Sequence, residues 1–116
     1  MIKIDETMIS ITRGDSAYIQ LDISDMSGEP VTLSSRDIVR CQVRKRPNDG
    51  ELVFEGDIIR SDQDNSIVWH IHPEDTMNEF VGTYYWDAQV EFTNGDIFTF
   101  IPVSKFKLLP EITMVE

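Results

Sequence analysis

His70 and His72 stand two residues apart, and Glu74 and Asp75 follow them. On a strand that spacing puts both imidazoles on one face, because side chains alternate. Imidazole nitrogen and carboxylate oxygen are donors that zinc accepts, so metal binding is the chemistry this segment could perform. The neighbours favour a plainer state. Trp69 and Ile71 claim the apolar face, which turns the histidines outward to water or to carboxylates, and a spacing of two is weak evidence by itself. No metal ligand is assigned from it. Asp62-Gln-Asp64-Asn65 resembles a fragment of a calcium loop, but the glycine and the distant bidentate glutamate of an EF-hand are missing. It reads as a polar hairpin turn. Cys41 alternates with Val39 and Val43, so the thiol is expected to be buried, raised in pKa and a poor nucleophile. The sequence has no Gly-x-Ser-x-Gly elbow and no phosphate loop. With no motif to place the many carboxylates, no catalytic residue and no cofactor is assigned, and the chain is not read as an enzyme.

Arg13-Gly-Asp-Ser16 spells a tetrapeptide known as an adhesion signal. Ile9 and Ile11 precede it in one alternating run and Ala17 opens the next, so it is the connection between two strands. Gly14 supplies a backbone conformation that other residues resist, and Asp15 and Ser16 are of the type that bonds local N–H groups in turns. Each has a structural task that needs no receptor. The N-terminal segment carries one lysine and no apolar stretch, so no secretory leader is expected and synthesis is expected to be cytoplasmic.

The charge pattern gives the positive signal. Net charge is −11, which argues against general nucleic-acid binding, and the apolar runs are too short for a membrane span. Five of the ten basic residues lie between Arg36 and Arg46, whereas Pro47 to Thr99 holds twelve acids and one base, Arg60. Arg36, Arg40, Arg44, Lys45 and Arg46 therefore form a basic strip, the candidate protein interface. Pairing within the chain, with Glu51, Glu55 or Asp57, would account for the same charges, since surface pairs are common and weak. Tyr18, Tyr85, Phe98 and Phe100 read as outward aromatics that could add contacts.

The elements that must hold these residues alternate with a period of two. Ala17, Ile19, Leu21 and Ile23 share one face; so do Val39, Cys41 and Val43; so do Ile67, Trp69 and Ile71; and so do Tyr84, Trp86, Ala88, Val90 and Phe92. This is the mark of strands buried on one face. Turn chemistry separates them at residues 25–30, 47–50, 61–65 and at Asn94-Gly95, the last a strong hairpin signal. About seven strands follow, near residues 7–12, 16–24, 38–46, 51–60, 66–72, 82–92 and 97–108, with at most one helical turn at Pro73–Phe80. Pro102 must sit at an edge or a bulge, since it cannot donate to a ladder. The expected fold is an all-β antiparallel sandwich, a single domain over residues 1–116. Trp69, Trp86, Val90, Leu21 and Cys41 are expected in its core.

Two stretches resemble immunoglobulin-like modules. Gly14 to Val31, with Asp25, Gly28, Pro30 and Val31, is similar to a turn–strand–turn of bacterial members of that class. Gly82 to Phe92 resembles the entry to a strand through a tyrosine corner, which would make Tyr84 the corner residue. The chain departs from antibody domains: Trp86 stands where a disulfide cysteine would fall, and Cys41 where the core tryptophan would. A third stretch, residues 96–113, resembles the C-terminal part of small prophage-encoded proteins of Gram-positive bacteria. These are similar to the N-terminal domain of phage baseplate upper proteins. The resemblance implies a structural protein of a phage or prophage tail or baseplate. Such a protein works through protein–protein assembly with itself or neighbouring tail components, and can be built into the particle. The alternative is a carbohydrate-binding or surface-adhesion module, which coplanar exposed aromatics on a concave face would favour.

Overall fold

A computed structural model describes residues 2–5, 7–48, 50–60 and 65–112. Its elements are β1 (Ile2–Asp5), β2 (Met8–Thr12), β3 (Ala17–Asp22), β4 (Ile38–Arg44), β5 (Leu52–Phe54), β6 (Asp57–Arg60), β7 (Ser66–Ile71), α1 (Pro73–Thr76), β8 (Gly82–Glu91) and β9 (Ile97–Leu109). They form two sheets, one in the order β1-β2-β9-β8-β4-β5 and the other β3-β7-β6. The fold is an all-β sandwich with immunoglobulin-like strand order. All pairings are antiparallel except β2 against β9, which is parallel.

Alternation became burial as expected. Along β3 the pattern is strictly buried then exposed, and Val39, Cys41 and Val43 are buried on β4. The five residues expected in the core are all there. Trp69 and Trp86 stack across the two sheets with ring centroids 5.2 Å apart. Phe54 stacks on Trp69, and Phe106 meets both of these rings edge-on. Each indole N–H finds a backbone acceptor, Trp69 the Glu55 carbonyl at 2.7 Å and Trp86 the Thr7 carbonyl at 2.9 Å. Burial of large apolar side chains like these stabilises by ~1.5–3 kcal/mol each, and the paired N–H groups avoid the penalty of a buried unmatched donor. The Tyr84 hydroxyl donates to the Phe80 carbonyl, four residues back, which is the tyrosine-corner bond.

Three features differ from the sequence expectation. Among the described residues the strand count is nine, because β1 precedes the first expected strand and residues 51–60 hold two strands. β5 pairs with β4 in the larger sheet, and β6 pairs with β7 in the smaller one. The chain crosses at Glu55-Gly56, where Gly56 has φ 67° and lies against Trp69 and the His70 carbonyl. Phe98 and Phe100 are not outward: they are half-buried against the core. Phe98 pairs with buried Val90 and so shares its inward face. The register then slips twice, with Gln89 opposite Thr99, Ala88 opposite Ile101 and Trp86 opposite Ser104. Pro102 lies in this bulged region, as its missing N–H requires.

α1 is a single turn. Asp75 is half-buried and its carboxylate accepts the His72 N–H at 2.8 Å, capping the turn, so only Glu74 of the two acids is fully outward. No helix among the described residues is long and apolar enough to cross a membrane.

Candidate functional site

Outer-face residues of β4 and β8 stand opposite each other in register: Arg40 with Gln89, Gln42 with Asp87, Arg44 with Tyr85. The inward set of the same strands is apolar, so the alternation that builds the core also places this polar ladder on the outside. Between the ladder, Val103 of β9 and the turn that follows β4 lies an open groove of about 240 Å³. Arg40, Arg44, Arg46, Tyr85, Asp87 and Gln89 line it.

The structure thus brings together three of the five strip residues. Lys45 flanks the groove, and Arg36 stands in the turn before β4, outside it. Each groove arginine is held differently. Arg40 pairs with Glu91 at 3.0 Å. Arg44 donates to the Gly50 carbonyl and to Gln42 Oε1, both at 3.0 Å. Arg46 is exposed. Lys45 pairs with Glu51 at 3.2 Å.

Of the three acids expected to neutralise the strip, only Glu51 does so. Glu55 accepts from Gln42 instead, at 2.8 Å. Asp57 belongs to the other sheet, where it pairs with His72. Glu91 is the partner that sequence did not supply, since it faces Arg40 only through the β4–β8 register. Burial raises the pKa of Asp87, the groove's own acid, and nearby Arg44 opposes part of the rise.

Guanidinium forks bind carboxylates with directed, charge-assisted bonds. The pairs already formed are surface pairs, worth about 0–1 kcal/mol, so an incoming carboxylate can compete with them. Tyr85 adds an amphipathic ring of the kind enriched at interfaces.

The other sequence candidates fall elsewhere. Arg13–Ser16 joins β2 to β3 as a turn, with Gly14 at φ 84°. Arg13 is drawn inward, forking onto Glu111 at 2.7–3.1 Å and donating to the Glu79 carbonyl at 3.0 Å. The Gly14 N–H donates to Thr76 Oγ1, and the Asp15 N–H to the Thr12 carbonyl. The segment is thereby clamped to α1 and to the end of β9, its arginine committed. Cys41 is buried among apolar side chains, and burial pushes its thiol pKa well up. The residues that resemble a calcium loop, apart from Asn65, lie outside the described residues. Tyr18 and Tyr85 occupy outer faces of different sheets. With Phe98 and Phe100 turned inward, the four aromatics form no common platform.

No family model matches the sequence, and no curated protein matches it. Among solved structures, the crystal structure of CopC from Methylosinus trichosporium OB3b is similar at 19% identity, covering 81% of this chain and 98% of that one, with a TM-score of 0.39. A likeness this loose carries no argument about function.

Proposed function

We propose that this protein is a non-enzymatic structural part of a phage or prophage tail or baseplate, and that it works by head-to-tail assembly. The groove around Arg40 and Arg44 would receive acidic surface of a neighbouring copy. The observation that carries this reading is the in-register ladder, which presents fork donors along an open groove on a chain of net charge −11. Acidic surface repels itself, so contact between copies is favoured where basic meets acidic. The receiving side is the edge strand β5 and its approach, where Glu51 and Glu55 are exposed. A groove on one copy meeting an edge on the next is a heterologous contact, which builds rings or stacks. The tail or baseplate setting rests on the resemblance of residues 96–113, taken with residues 11–17.

A short glutamate-rich peptide serves as the probe, followed by backbone NMR, with its glutamine counterpart as control. The glutamate peptide should shift signals of residues 39–48 and 85–91, and Arg40→Glu/Arg44→Glu should weaken it by about tenfold or more, as for loss of charge-assisted bonds. Shifts centred elsewhere, or unchanged in the double variant, would remove the groove from the account.

A further inference from the structure

On the smaller sheet, β3, β7 and β6 run side by side, and register places Tyr18, His70 and Asp57 in one row. All three point outward: Ile19 beside Tyr18 and Trp69 and Ile71 beside His70 are buried, and Ile58 beside Asp57 packs against the core. His72 follows His70 on the same side. Spacing of the histidines is weak evidence, and the acids next in sequence do not join them: Asp75 caps the backbone, and Glu74 is exposed. The fold supplies a different carboxylate. Asp57 Oδ2 lies 2.5 Å from His72 Nε2. The two imidazole centroids are 3.9 Å apart, and one ligand atom from each of Asp57, His70 and His72 lies within 4.8 Å of the others.

We infer that Asp57, His70 and His72 form a surface site for a late first-row divalent metal ion. A histidine–carboxylate pair accounts for the contact between His72 and Asp57, and the β3–β7 register with the stacked Tyr18 ring brings a second imidazole to the same point. Two imidazoles and a carboxylate converging on one point are a donor set that such an ion accepts. Imidazole nitrogen suits zinc, copper and nickel, while calcium and magnesium prefer oxygen alone. For metal bonds of ~2.0–2.1 Å, tetrahedral ligands lie about 3.3 Å apart. Against that spacing, donor atoms at the 4.8 Å bound would close by about 1.5 Å and the His72–Asp57 contact at 2.5 Å would open by about 0.8 Å, both within the reach of side-chain rotation.

The positioning is already in place. Tyr18 stacks on the His70 ring at 4.0 Å and 11°, fixing its plane. The Asp75 carboxylate holds the His72 N–H. Glu74 and Asp75 add negative potential at His72, and the chain as a whole is acidic. The site opens to solvent, since the Asp57 side chain is 67% exposed, so water completes the coordination. This site and the basic groove lie on different sheets, and each stands or falls without the other.

Calorimetric titration with ZnCl2, and in parallel with CaCl2, tests the proposal. The wild type should take one zinc per chain and ignore calcium. His70→Gln, His72→Gln and Asp57→Asn should each weaken zinc binding by about tenfold or more, since even outer-shell changes cost that much. Arg40→Glu/Arg44→Glu should bind zinc as the wild type does. On the unaltered protein, substoichiometric Ni2+ should broaden the NMR signals of Tyr18, His70 and His72 before any others, a readout that requires no variant to fold. Absence of saturable zinc binding, equal binding in all three ligand variants, or first broadening elsewhere would overturn it.

Discussion

Asp37, just before β4, ties its own turn to Thr93 through its carboxylate. It accepts the Ser34 N–H at 2.8 Å and the N–H and hydroxyl of Thr93 at 3.1 Å each. Arg60, at the end of β6, donates to the Asp37 and Ser34 carbonyls. The residue is only 8% exposed. Its donors, first the Ser34 backbone, hold its pKa below the ordinary carboxylate value. A folded pKa below the unfolded one, near 3.9, means that the stability Asp37 adds is present above that value and lost as pH falls through the folded one. Asp37→Asn should lower stability at pH 7 by about 1–3 kcal/mol, and urea unfolding of the variant should show a shallower loss between pH 5 and pH 2. Asp25 and Glu111 are lowered too, by Ser27 and Arg13 respectively, so the slope should shrink and not vanish. An unchanged acid slope would show that Asp37 is not coupled to folding in this way. At the same scale, the fork of Arg13 onto Glu111 explains why the RGDS segment serves the fold.

Among the elements, the crossing at Gly56 decides the topology. A Cβ there would lie 2.6 Å from the His70 carbonyl and 2.8 Å from Trp69 Nε1, and φ is already in the left-handed region. Gly56→Ala should therefore destabilise by at least about 1–3 kcal/mol, the cost of such backbone strain before any clash. Thermal melting would check this, and a wild-type midpoint would mean that β5 and β6 do not depend on this glycine. This crossing also marks where the sequence stops being legible. Inner faces can be read directly, because alternation such as Val39-Cys41-Val43 is a property of each strand alone. Tyr84 can be read for a similar reason, its hydroxyl reaching only four residues back. Residues 51–60 read as one strand because the switch depends on which sheet each half joins, and that is a long-range fact. Phe98 and Phe100 alternate with Ile97 and Ile101, so their own pattern names no inner face; the pairing with Val90 does. Glu91 beside Arg40, and Asp57 beside His72, are likewise consequences of register between distant strands.

For the molecule as a whole, charge is the property that any account of assembly must satisfy. Twenty-one acids against ten bases keep separate copies apart, and the groove around Arg40 and Arg44 is where that repulsion can reverse. Exposed charge pairs are screened over about 8–10 Å at ordinary ionic strength, so contact through this groove must weaken with salt. Apolar contact through exposed Phe80, Val81 or Ile97 would respond in the opposite sense or not at all. The most direct measurement is sedimentation velocity of the wild type and Arg40→Glu/Arg44→Glu over a range of protein and salt concentrations. The account predicts concentration-dependent association of the wild type at low salt, dispersal as salt rises, and a double variant that stays monomeric throughout. A wild type that is monomeric under every condition, or a double variant that associates equally well, would contradict head-to-tail assembly through this surface.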